Sequence, residues 1–159
     1  MNDTFCAFSG HRAIPRESEG ELKQLLRRHI EALAAEGTTG FLCGGALGFD
    51  TLAAEAVLSA RTRDPAITLT LALPCPEQDR AWGDDARRRF QQIYDSADEV
   101  IYVSPAYHRW CMMQRNRFMV DHSRQLICYM TTITGGTAAT VRYALKVGVP
   151  VINLAAEMS

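Results

Sequence analysis

The feature that most constrains this chain is an alternation. Short runs of β-branched and apolar residues are each followed by a longer stretch whose apolar residues recur at helical spacing. Thr4 to Phe8 reads as a strand, and Glu19 to Glu36 as a helix with Leu22, Leu25, Leu26, Ile30 and Leu33 along one face. Gly37 ends that helix. Gly40 to Cys43 is a second strand and Asp50 to about Ala60 a second helix. Ala66 to Leu73 is a third strand, stopped by Pro74 and Pro76, and a helix follows between Asp79 and Tyr94. Glu99 to Val103, Gln125 to Met130 and Val151 to Leu154 complete six strands. Helices from about Met112 to Ser123 and from about Thr137 to Lys146 lie between the last three.

Strands separated by helices connect through right-handed crossovers, which lay the strands parallel and cover both faces of the sheet. The expected fold is α/β: a single Rossmann-like three-layer domain over residues 1–159, with a mostly parallel sheet of about six strands. The length of 159 residues supports one core and not two, and 47% hydrophobic with 22% charged residues suits a water-exposed globular surface. No apolar run approaches the roughly 20 residues that span a bilayer, and no leader pattern opens the chain, so a cytoplasmic location is expected. Cys6, Cys43, Cys75 and Cys128 lie within or at the ends of strands, which predicts buried, reduced thiols.

In such sheets ligands bind beyond the carboxyl ends of the strands. The unusual residues fall there: Ser9-Gly10-His11-Arg12 after the first strand, Gly44-Gly45-Ala46-Leu47-Gly48-Phe49-Asp50 after the second, Gln78 and Trp82 after the third, and Gly135-Gly136-Thr137 after the fifth. Glycines admit close approach of backbone N–H groups to an anion, and a following helix adds the partial positive charge of its N-terminus. The alternative is a tight turn serving backbone geometry alone. Two such loops on one sheet edge suggest a ligand whose phosphate and sugar lie between them. The first loop is not G-x-G-x-x-G and does not follow the first strand, which disfavours an ordinary NAD dehydrogenase.

Arg115 and Asn116 bring a cationic fork and an amide to the same edge. His11 and Arg12 are candidates for phosphate or base contact, and Gln78 and Trp82 for an amide and a stacking surface beneath a base. Asp50 is expected to cap the second helix. The Arg87-Arg88-Arg89 run reads as a solvated helix face. His108-x-x-Cys111 has no second pair to complete a four-ligand set, so no metal site is expected. The net charge of -1 offers no general attraction for nucleic acid or an anionic membrane.

Taken together, Ser9-Gly10-His11-Arg12, Gly44-Gly45-Ala46-x-Gly48-x-Asp50 with Ala53-Ala54-Glu55, Pro74-Cys75-x-x-Gln78-Asp79-x-x-Trp82, Arg115-Asn116-x-x-Met119-Val120-Asp121-x-Ser123 and Gly135-Gly136-Thr137 resemble the YpsA-like branch of the SLOG superfamily. The resemblance covers nearly the whole chain. It implies a nucleotide-derived ligand such as AMP, ADP-ribose or NAD at the strand ends, often in a sensing or regulatory role, and a homodimer. The LOG relatives hydrolyse nucleoside monophosphates to free base and ribose phosphate. Arg115 with Met119 resembles the first part of their pattern, but Thr140 stands where their P-G-G-x-G-T-x-x-E motif has its glutamate. An N-glycoside hydrolase here would need another carboxylate, Asp121 or Asp50, working beside Arg115. The DprA relatives bind single-stranded DNA and carry S-G-x-A-x-G-I-D, which Gly44 to Asp50 resembles. The strongly basic surface that such binding favours is absent from this composition.

Overall fold

The computed structural model describes residues 5–159; the expected strand start at Thr4 lies outside them. Six strands form one sheet: β1 (Phe5–Gly10), β2 (Gly40–Cys43), β3 (Thr68–Leu73), β4 (Glu99–Tyr102), β5 (Gln125–Tyr129) and β6 (Val151–Asn153). Every strand pair is parallel, and the order across the sheet is β4-β3-β2-β1-β5-β6. Five α-helices alternate with them: α1 (Glu19–Ala35), α2 (Phe49–Arg63), α3 (Asp84–Ser96), α4 (Cys111–Asp121) and α5 (Gly136–Lys146). The chain winds outward from β1 to β4, then returns through α4 to β5 on the other side of β1. The strand order therefore reverses between β1 and β5, which is where doubly wound folds open a crevice.

The strand period of two sorts side chains between two cores. Cys6 and Phe8 of β1, Phe41 and Cys43 of β2, Leu69, Leu71 and Leu73 of β3, and Ile127 and Tyr129 of β5 face one core. There they meet Leu22, Leu26 and Ile30 of α1, Leu52, Ala53 and Val57 of α2, and Ile93 of α3. Ala7, Leu42, Ala72, Leu126 and Cys128 point the opposite way, onto Met119 and Val120 of α4 and Val141 and Ala144 of α5. The central strands are buried on both faces and read as continuous apolar runs for that reason. All five cysteines are free and buried, and burial pushes the Cys6 and Cys43 thiols up.

Element boundaries depart from the sequence reading where distant partners set them. β1 continues to Gly10 because Ser9 and Gly10 pair with Cys128 and Tyr129 of β5. β3 starts at Thr68 and not Ala66, since Asp64 holds a turn, taking the Ala66 N–H on Oδ1 and the Ile67 N–H on its carbonyl. Residues 77–82 form two successive turns, Arg80 N–H to the Glu77 carbonyl and Trp82 N–H to the Asp79 carbonyl, which delays α3 to Asp84. β6 ends at Asn153, whose side chain accepts the Ala155 N–H and starts a 3₁₀ turn over Leu154–Glu157. The arginine run is only partly solvated: Arg89 makes a bidentate bond to Glu55, at 2.7 and 2.6 Å, joining α3 to α2. Among the described residues no helix is long and apolar enough to cross a membrane.

Candidate functional site

The crevice between the ends of β1 and β5 holds a cavity of about 270 Å³. Eleven of the residues singled out in the sequence line it: Ser9, Gly10, His11, Arg12, Ala46, Asp50, Arg115, Asn116, Gly135, Gly136 and Thr137. Phe8, Met112 and Thr134 join them. Met112 carries no sequence signal beyond its helical spacing, three residues before Arg115. Gly44, Gly45, Gly48, Gln78 and Trp82 do not line this cavity, and neither does Asp121. Trp82 packs edge-on against Phe90, with ring centroids 5.5 Å apart. Asp121 is exposed and accepts the Tyr143 hydroxyl at 2.6 Å.

The two glycine loops are built differently. After β2 the loop is closed by protein. Gly44 has no room for a side chain: a Cβ there would lie 2.6 Å from Arg115 Nη1 and 2.9 Å from Asp50 Oδ2. Gln78 donates its amide to the Gly45 carbonyl at 3.1 Å and more weakly to that of Gly44 at 3.5 Å. Gly48 has φ +76° and lies against the Arg12 carbonyl, so both conformation and contact require glycine. The first N–H of α2, that of Phe49, donates to the His11 carbonyl at 3.0 Å. Asp50 does not cap α2, contrary to expectation. It turns back across the loop, and Oδ2 accepts the Ala46 N–H at 3.2 Å.

After β5 the loop is open. Gly135 has φ +97°, and an added Cβ at either Gly135 or Gly136 would meet nothing within 4 Å. The first intrahelical bond of α5 runs from the Ala139 N–H to the Gly135 carbonyl, which leaves the N–H groups of Gly136, Thr137 and Ala138 without helical partners. Among the described residues no side-chain hydrogen bond caps this end. Thr140 turns away from the role of the LOG glutamate: its hydroxyl donates to the Gly136 carbonyl at 2.9 Å, one turn back in the same helix.

Arg115 is 4% exposed and spends its guanidinium on the protein. Nη1 donates to the carbonyls of Gly44 and, at 3.4 Å, Ala72; Nε donates to Asn116 Oδ1 at 2.8 Å. It therefore clamps α4 to the ends of β2 and β3. Asp50 and Arg115 flank the space above Gly44, and their charges act on each other across it. Burial still prevails on both. It pushes the Asp50 carboxyl up to about 6 against the pull of Arg115, the Ala46 N–H and Arg12, and it lowers Arg115 although Asp50 opposes the shift. His11 links the loops: its Nε2 accepts the Thr131 N–H at 2.8 Å and its ring stands edge-on to Tyr129.

A second cavity, of about 610 Å³, adjoins the first at Met112 and is lined by Cys75, Gln78, Arg80, Tyr107 and their neighbours. Gln78 thus faces a chamber next to the crevice while it holds the closed loop.

Residues 16–147 match the YpsA model, that of the YspA SLOG family. The chain belongs to that family. It is 32% identical over 143 residues to the uncharacterized SPbeta prophage-derived protein YoqJ of Bacillus subtilis, a match covering 79% of this chain and 81% of YoqJ. Two solved structures are similar in fold. DNA processing protein A from Helicobacter pylori, described by its single-stranded DNA binding mode, has a TM-score of 0.65 at 21% identity. DprA from Streptococcus pneumoniae has a TM-score of 0.66 at 19% identity. The matches cover 94% and 92% of this chain but only 64% and 48% of those chains. The resemblance read from the motifs thus holds at the level of family and fold.

Proposed function

We propose that this SLOG domain binds a nucleotide or nucleotide-derived ligand in the crevice between β1 and β5, as a sensor or regulatory module. The observation that carries this reading is the open N-terminus of α5. Gly136 and Thr137, whose N–H groups have no helical partners, line a cavity that Arg12 also lines, and the helix start supplies donors and positive potential for a phosphate. Ser9, Asn116 and Thr137 add polar groups around the same space. The composition gives no general attraction for a nucleic-acid backbone, so a small ligand suits the site better than a strand.

Calorimetric titration with AMP, ADP-ribose and NAD tests this. The wild-type chain should bind at least one of them, and Gly136→Asp, which sets a carboxylate at the mouth of the cradle without a steric clash, should abolish that binding while the fold persists. Binding that is absent throughout, or indifferent to Gly136→Asp, overturns the reading.

One observation favours a second reading, N-glycoside hydrolysis: a carboxylate titrating near 6 lines the cavity, as general acid–base catalysis requires. Asp50 would take that part and Arg115 would hold it in place. Chromatographic release of free base from AMP, lost in Asp50→Asn, decides for hydrolysis; intact AMP after prolonged incubation decides against it.

A further inference from the structure

The ligand's sugar can be read from a carboxylate that the fold leaves unsatisfied. Asp50 is 5% exposed. Its Oδ2 takes the Ala46 N–H, while Oδ1 is buried and has no hydrogen-bond partner among the described residues. Buried acceptors are rarely left unpaired, because desolvation costs free energy that no bond returns. The nearby cation does not supply the missing donor: the Arg115 N–H groups go to Gly44, Ala72, Asn116 and, at 3.8 Å, the Met112 sulfur.

Asp50 lines the same cavity as the open end of α5. A carboxylate repels a phosphate, so the part of the ligand lying against it must be neutral and must donate a hydrogen bond. With the phosphate on the N–H groups of Gly136 and Thr137, the sugar would lie in the rest of the cavity of about 270 Å³, which Asp50 lines. Carboxylates recognise ribose through its hydroxyls in other doubly wound folds by the same chemistry. We propose that Asp50 Oδ1 accepts a hydrogen bond from one of the hydroxyls of the ligand's ribose, so that the site reads the sugar as well as the phosphate; this rests on the reading that α5 holds the phosphate. Asp50 is then a specificity residue for the sugar.

The test is calorimetry of the full chain with AMP, 2′-deoxy-AMP, 3′-deoxy-AMP and inorganic phosphate, on the wild type, Asp50→Asn and Asp50→Ala. A lost hydrogen bond to a charged acceptor corresponds to a loss of about ten- to a hundredfold in affinity. The wild type should therefore bind AMP at least about tenfold more tightly than one of the two deoxy forms. In whichever Asp50 variant folds, AMP and that deoxy form should bind alike, with affinity for inorganic phosphate retained or raised. Equal binding of AMP and both deoxy forms to the wild type overturns the assignment of Asp50 while leaving the phosphate site standing. Failure of AMP and inorganic phosphate alike overturns both.

Discussion

The loops after β2 and β5 share a vocabulary of two adjacent glycines, a small residue and a helix start, yet one is filled by the protein and the other is left open. Around Gly44 and Gly48 every spare volume is occupied by Arg115, Asp50 and the Arg12 backbone. The first N–H of α2 is already bonded to His11. Around Gly135 and Gly136 there is only space, and the first N–H groups of α5 have no helical partners. A glycine pair therefore signals close backbone approach without saying what approaches. In the first loop it is a buried cation; in the second a ligand is proposed.

The largest effect should come from filling the closed loop. Gly48→Ala forces a side chain into a positive-φ position against the Arg12 carbonyl, which should cost about 5 kcal/mol in chemical denaturation. A near-neutral result would mean that the loop is not packed as described. Arg115→Met should follow at about 4 kcal/mol, because it strands the buried Asp50 carboxylate. That loss should shrink in the Asp50→Asn background, since the two groups are coupled.

The third effect depends on pH. Asp50 titrates near 6 when folded and near 3.8 when free, with Arg115, Arg12, the Ala46 N–H and the buried Cys43 thiol around it. A raised folded value means that the group favours the native state while protonated. Its contribution is complete below about pH 4 and is lost as pH rises through 6, a change of about 3 kcal/mol by linkage. Unfolding curves between pH 4 and 7.5 should show that decline in the wild type and not in Asp50→Asn; parallel pH profiles would refute it. The open loop should respond least. Gly135→Ala, strained by its φ of +97° and ψ of −175°, a region essentially reserved for glycine, but free of contacts, should cost about 2 kcal/mol. Gly136→Ala should gain about 0.5 kcal/mol. Larger losses at either position would show that the second loop is packed like the first.

Much of this was legible in the sequence because local periodicity and turn residues carry it. The strand–helix alternation yields the parallel fold, and placing the unusual residues after the strands brings most of them to one crevice. What escaped the sequence was set by partners far along the chain. Nothing local distinguishes Gly44 from Gly135; the difference is made by Arg115, 71 residues beyond Gly44. Asp50 at a helix start looks like a cap, and only the folded loop shows it serving Ala46. Trp82 and Gln78 share a segment, but two turns send the first to Phe90 and the second to Gly45.

The contrast between the loops is tested most directly by following backbone amide resonances while AMP is added to isotopically labelled protein. The amides of Gly136, Thr137 and Ala138 should shift strongly and saturate together, while those of Gly44, Gly45 and Phe49 move little. Shifts centred on Gly44 to Phe49 with Gly136 to Ala138 unmoved would contradict the assignment of the phosphate to the open loop.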